Sequence, residues 1–391
     1  MMSFLLGSQI VMAQTPIGST YLIITYPDFY QAVQELATYR QSQGERVIVI
    51  TTEEIYRQFT FESDKAEAIH AFLRQAYHQW TPPPTYVLLV GDASDDPTGL
   101  PDLLPAKYLD APIVGKSPAD YEYAKVSGDD DDPDLRIGRI PARTVEEVKI
   151  VIDKIKQYEQ SPPNEAWKQR VILVAHDQSE EFRQEIESLA TFLPITTQAI
   201  TMYTYSPTVS VADEINQGAL LLSYSGHGAK RVWGKWQNEY RIFENDDVDK
   251  LTNGYQLPFV TISTCLSGMF SDSAGDKPPT IAERLLFWSN GGAISVWATS
   301  ALGFPTPNRI LHEELYRAMF AKGEMTLGTA TLTAMREAKH RHPEMATFFA
   351  NYNYFGDPAL RLGGRRQIAI YLPIVVSQRE YGNYLPIIIK P

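Results

Sequence analysis

Short apolar runs bounded by glycine, proline or other turn residues recur along the chain, at 21–25, 46–50, 86–90, 171–175, 219–225, 257–264 and 290–300. Runs of this length read as strands buried on both faces rather than as helices. Between them lie segments with helical spacing, marked by Phe29, Ala32, Val33, Leu36 and Tyr39 in 28–43 and by Ala68, Phe72 and Ala76 in 63–80. Alternation of strand and helix implies a parallel α/β sheet closed by helical crossovers.

The alternation occurs twice. A first unit ends in a helix from Thr144 to about Glu159, with Thr144 as its cap and Glu147 at the capping-box position. Ser161-Pro162-Pro163-Asn164 then breaks the chain, and strand and helix resume at Val171 and Ser179. The expected architecture is α/β, with two adjacent subdomains at 20–160 and 161–365, each a mostly parallel sheet flanked by helices. Residues 1–19 form a separate N-terminal segment that ends its apolar stretch in Val11-Met12-Ala13, a small-residue cleavage pattern without the usual basic start. Secretion or surface location is the expectation from it, with a cytoplasmic site left open. Residues 366–391 form an apolar tail with two similar pieces, Tyr371-Leu372-Pro373 and Tyr384-Leu385-Pro386.

Composition excludes several classes. With 391 residues, 44% of them hydrophobic, the chain can bury a large core, and no run of 18 apolar residues is present to span a membrane. A net charge of −12 without a basic stripe argues against nucleic acid as a partner. The single cysteine rules out an internal disulfide framework.

Two of the runs end in residues that can do chemistry. The run 219–225 leads into Gly226-His227-Gly228, and the run 257–264 delivers Cys265. Active sites of open parallel sheets lie at the carboxyl ends of the strands, so these two residues should meet there. An imidazole beside a thiol supplies the base that a cysteine nucleophile needs. The flanking glycines would let the backbone turn sharply and let a substrate carbonyl approach main-chain N–H groups. The alternative is a buried, inert Cys265 and a loop histidine. A second cluster is the acidic run 129–134, where five aspartates stand within six residues. It is either solvated or neutralised by a cation such as Ca²⁺.

Tyr86-Val87-Leu88-Leu89-Val90-Gly91-Asp92, Ile137-Gly138-Arg139, Tyr224-Ser225-Gly226-His227-Gly228, Val232-Trp233-Gly234, Gln256-Leu257-Pro258-Phe259, Cys265 and Phe355-Gly356-Asp357-Pro358 together resemble the gingipain-type cysteine peptidases, which have the caspase-like fold. The resemblance covers nearly all of 20–365. It implies an endopeptidase acting on protein or peptide substrates, with Cys265 as nucleophile, His227 as acid and base, and the N–H groups of Gly228 and Cys265 as oxyanion donors. It further implies Asp177 as the acid that orients the histidine, at a position where a helix cap is the competing role. It implies a structural Ca²⁺ held around Asp92, Ser127, Asp130, Asp132 and Asp134. Phe304 falls where the family has an aromatic pocket wall, and Glu180, Glu181 or Glu185 could receive a basic side chain before the cut. A catalytically silent or self-processing scaffold and a peptide ligase are the rival functions on the same fold.

Overall fold

The computed structural model describes residues 18–60, 64–95, 102–111, 113–128, 130–162, 164–271 and 278–364. The apolar tail, and all of the N-terminal segment except Gly18 and Ser19, lie outside the described residues. Strands β1 (Tyr21–Thr25), β2 (Val47–Thr51), β3 (Tyr86–Val90), β4 (Arg136–Ile140), β5 (Arg170–Ala175), β6 (Gln198–Met202), β7 (Leu221–Ser225), β8 (Phe259–Ser263), β9 (Ser295–Thr299) and β10 (Tyr352–Phe355) form one sheet in the order β2-β1-β3-β4-β10-β9-β8-β7-β5-β6. The helices that flank it include α1 (Tyr30–Ser42), α2 (Thr52–Gln58), α3 (Lys65–Gln79), α4 (Val145–Gln160), α5 (Glu180–Ala190), α6 (Ile281–Phe287), α7 (Pro305–Tyr316) and α8 (Leu327–Arg341). Among the described residues no helix is long and apolar enough to cross a membrane.

The apolar runs became strands because both faces of the sheet are covered. Alternate residues of β1 enter different cores: Tyr21 and Ile23 join the large cluster with Val33, Leu36 and Val148, while Leu22 and Ile24 join a smaller one with Ile69, Phe72 and Leu73. The capping box expected before α4 is present, with Thr144 Oγ1 accepting from the Glu147 N–H at 3.2 Å and Glu147 Oε2 accepting from the Thr144 N–H at 3.1 Å.

The sheets of the two halves are continuous. Strands β2, β1, β3, β4 and β10 run parallel, as do β9, β8, β7, β5 and β6, and the only antiparallel pairing in the sheet is between β10 and β9. The carboxyl ends of the two halves therefore face opposite edges. Where β10 meets β4, a Cβ on Gly138 would lie 2.4 Å from the Gly356 carbonyl oxygen, so only glycine fits there. The neighbouring Arg139 is fully buried, paired with both Asp120 oxygens at 2.6 and 2.8 Å, and donates to the carbonyls of Gly91, Leu104 and Pro105. Arg40 of α1 similarly binds Asp357, beyond β10, and Glu159 of α4.

Lys154 of α4 is buried without a carboxylate partner among the described residues. Its Nζ donates to the carbonyls of Leu285 at 3.3 Å and Leu286 at 2.7 Å in α6. Burial pushes this amine down to about 7. The unfolded chain, with an ordinary lysine near 10.4, holds a proton between these values that the folded chain has lost, so this group makes stability rise with pH from about 7 to about 10. Urea denaturation across that range should show a rising difference between the wild type and Lys154→Met. Parallel curves for the two proteins would show that Lys154 titrates normally.

Candidate active site

The parallel register brings the two chemical residues side by side. Strand β7 pairs with β8 through Ser225↔Ser263 and with β5 through Ala175↔Ser225. The ladder extends one step further, with the His176 N–H donating to the Ser225 carbonyl at 2.9 Å and the Gly226 N–H to the Ser263 carbonyl at 3.1 Å. His227, Cys265 and Asp177 each stand two residues beyond a shared rung. Neighbouring strands lie ~4.8 Å apart, so the three start from one row at the carboxyl edge, histidine in the middle.

Cys265 is half-buried, with Sγ 3.8 Å from the Gly303 carbonyl oxygen. Leu266, next in the chain, has φ of 57°, a left-handed conformation that is strained for a branched residue, and its N–H is tied to the Ala301 carbonyl at 2.9 Å. That bend ends the ladder abruptly, and the Cys265 N–H makes no hydrogen bond to any described residue. Gly228 opens the two-residue-turn hairpin Gly228–Ala229/Val232–Trp233. In such a hairpin the pair next to the turn, Ala229 and Val232, exchanges the hydrogen bonds, which leaves the Gly228 N–H pointing away from the ladder.

The glycines beside His227 serve a different purpose from the sharp turn expected of them. Neither Gly226 nor Gly228 has a positive φ. What they lack is room: a Cβ on Gly226 would lie 2.4 Å from Tyr224 Oη and 2.5 Å from His176 Cβ, and one on Gly228 would lie 2.6 Å from Thr264 Oγ1. Tyr224, stacked on Trp233 at 4.2 Å, uses its hydroxyl to donate to the His227 carbonyl at 2.6 Å and to accept the Gly234 N–H at 3.1 Å.

His176 is a site residue that the sequence did not single out. It is buried, its Nε2 lies 2.6 Å from the Lys235 carbonyl oxygen, and its Nδ1 accepts the His227 N–H at 3.3 Å. These partners assign the proton to Nε2. Burial pushes the imidazole down, against the pull of the Lys235 carbonyl, so it stays neutral. Its ring stacks on Phe182, and both rings meet the exposed imidazole of His227 edge-on, at 5.5 and 5.1 Å. The only signal for it in the sequence was its place at the end of an apolar run.

Asp177 shares the row but not a bond. Its two carboxylate oxygens accept the Gln237 N–H at 3.1 and 3.2 Å, and no hydrogen bond joins it to His227 among the described residues. Phe304 caps α7 beside Gly303 and packs edge-on against Phe348 at 5.2 Å. Glu180 and Glu181 are exposed in the first turn of α5, and Glu181 lines a polar cleft with Gln184, Pro305, Thr306 and Arg309. Glu185, by contrast, points inward and is buried.

The acidic residues expected to hold Ca²⁺ do not converge on one ion. The Asp92 N–H bonds to the Ala142 carbonyl, which sets Asp92 level with Ala142 at one edge of the sheet, whereas Asp134 precedes β4 at the other. The strand β4 alone, at ~3.3 Å per residue, separates those levels by roughly 13 Å or more. Each carboxylate also has a protein partner: Asp92 takes Arg143 at 2.7 Å, Asp130 the Asp132 N–H, and Asp134 the N–H groups of Val126 and Ser127. Asp132 is paired with Lys339 at 2.8 Å and His340 at 2.6 Å, from α8. The described residues contain no group of three or more His, Cys, Asp or Glu that could hold a metal ion. The donor set, as arranged, does not fit a shared cation.

Known proteins resemble the chain in both sequence and fold. The sequence profile described as "Peptidase family C25" matches residues 14–363. Gingipain R2 of Porphyromonas gingivalis is 26% identical over 364 residues, covering 87% of this chain and 45% of the relative. Gingipain R1 of the same organism is 25% identical over 363 residues, covering 87% and 34%. The chain thus spans less than half the length of these relatives. The crystal structure of the Arg-specific cysteine proteinase gingipain R (RGPB) superposes with a TM-score of 0.74 at 24% identity, over 90% of this chain and 79% of that one. The complex of the RgpB pro- and mature domains gives 0.71 at 22% identity, over 88% and 79%. At these identities the structures establish a shared fold.

The separation of Asp92 from Asp132 can be measured. Asp92→Asn and Asp132→Asn should each lower folding stability by about 1–3 kcal/mol, because each leaves a cation without its partner. Their effects should add to within about 0.5 kcal/mol, as for distant sites. A coupling energy well above that in the double variant would mean that the two aspartates share a ligand or a network.

Proposed function

Since the chain belongs to peptidase family C25, the gingipain-type cysteine peptidases, we propose that it is a working endopeptidase in which Cys265 and His227 carry out acyl transfer. The Cys265 sulfur, having given its proton to His227, attacks the scissile carbonyl carbon. A C–S bond forms, and the carbonyl π pair moves onto oxygen. The N–H groups of Cys265 and Gly228 receive that oxyanion, in line with the absence of any ladder bond at the first and the outward direction of the second. As the oxyanion collapses, the C–N bond breaks and the His227 proton goes to the departing amine. Water then attacks the thioester, gives a proton to His227, and releases the acid and the thiol.

The observation that carries this proposal is the common register of His227 and Cys265, two residues past the rung Ser225↔Ser263. The buried neutral His176 supports it by holding the His227 backbone N–H, and Phe182 and His176 limit the directions open to the imidazole. Asp177 belongs to the proposal as the residue that fixes the neighbouring loop through Gln237, one strand away from His227. A preference for a basic side chain before the cut is its finer part. It rests on the exposed Glu180 and Glu181 and the aromatic Phe304 near the nucleophile, with Arg309 in the same cleft opposing it.

A positional peptide library incubated with the wild type and variants tests the proposal. Cys265→Ala and His227→Ala should each lower kcat/KM by about 10³-fold or more. Asp177→Asn should lower turnover by about tenfold while leaving Cys265 open to alkylation. A folded wild type that cuts no member of the library, or a Cys265→Ala variant that cuts as well as the wild type, would refute the mechanism. Transfer of the acyl group to an added amine in preference to water would make the protein a ligase.

A further inference from the structure

Directly behind the active-site row lies a carboxylate to which the acyl-transfer steps assign no task. Glu185 of α5 is 1% exposed, and its Oε2 accepts the hydroxyls of Ser225 at 2.6 Å and Ser263 at 3.0 Å. Its Oε1 meets His312 Nδ1 of α7 at 2.9 Å, and His312 is equally buried. Ser225 and Ser263 are the last residues of β7 and β8, and they pair with each other. Each stands two residues before a member of the chemical pair, and side chains two apart on a strand line share a face. One oxygen of one side chain thus bridges the two strands at their last common rung.

Both oxygens of Glu185 are thus engaged within the fold. The His312 ring packs against Trp297 and Tyr352, and its Nε2 has no partner among the described residues. Tyr316 and Tyr352 face the same carboxylate, and neither brings a positive charge. The group is shielded from water and lies behind the strand ends that lead to Cys265 and His227. Its burial and its full set of internal partners leave it no vacancy for a substrate side chain.

We propose that Glu185 is a positioning residue for the catalytic pair, tying together the ends of the strands that carry His227 and Cys265 and placing a carboxylate behind them. The proposal rests on the acyl-transfer reading for its consequences in turnover, but its geometry can be tested without any substrate. Glu185→Gln keeps the size and an acceptor oxygen for the two hydroxyls, removes the charge, and turns an amide N–H toward His312 Nδ1.

Because Cys265 is the only cysteine, the rate of its alkylation by iodoacetamide against pH reports on the pair directly. In Glu185→Gln, with near-ultraviolet circular dichroism unchanged, that curve should move to lower pH by about one unit, as expected when a nearby buried negative charge is removed. Peptide turnover should fall about tenfold in kcat with KM little changed. Ser225→Ala and Ser263→Ala should each lower kcat without moving the curve, and the double variant should lose less than the product of the two, since both act through one oxygen. A folded Glu185→Gln with the wild-type curve and kcat overturns the proposal. If that variant does not fold, single serine variants with unchanged kcat overturn it. Should the wild type cut no peptide, a shifted alkylation curve would uphold the positioning role while the peptidase assignment fell.

Discussion

Everything chemical in this molecule depends on the register in which β5, β7 and β8 lie side by side. Parallel strands pair without slippage only if their buried faces match, and here every residue of β7 and β8 is buried, so a shift by one would turn each side chain to the wrong face. That match sets Asp177, His227 and Cys265 in one row. Three residues far apart in the chain need no flexible loop to find one another. The crowding around the row explains the glycines, since Gly226, Gly228 and Gly234 would each drive a Cβ into a neighbouring side chain.

A second constraint holds the halves of the molecule together. Strand β10 belongs to the last part of the chain yet pairs parallel with β4 of the first half and antiparallel with β9 of the second. The motifs at that seam are structural: Gly138 makes room for the Gly356 carbonyl, Arg139 gathers the loop after β3, and Asp357 receives Arg40. Buried ion pairs of this kind are modest contributors to net stability, but leaving either partner alone is strongly unfavourable, so they select one arrangement of the halves. Because β3 and β4 run parallel, Asp92 after the first and the acidic loop before the second end at opposite edges.

Much of the fold was legible because the apolar runs were continuous and the helix starts carried caps, as at Thr144 and Glu147. The missed strands were those without that signal. Gln198–Met202 is an edge strand whose residues are all partly or fully exposed, and Tyr352–Phe355 contains Asn353, whose side chain bonds to the Asp120 N–H and the Pro118 carbonyl. His176 escapes notice, and Glu185 reads as a residue of the substrate pocket, for a similar reason. A buried histidine or glutamate has no periodicity of its own, and its role follows from which distant groups meet it.

By itself the sequence determined that this is an α/β chain, which strands end in His227 and Cys265, and that it belongs among cysteine peptidases, because apolar runs and glycine-flanked motifs are local. Tertiary structure alone decided that the two subdomains share a single ten-stranded sheet, and that His176 rather than Asp177 contacts His227. It also decided that Glu185 joins the strand ends while the acidic loop takes its cations from α8. The physical reason is common to all of these. Register, strand direction and the neutralisation of buried charge are set by pairings across hundreds of residues, and local pattern carries no record of which partner will be opposite.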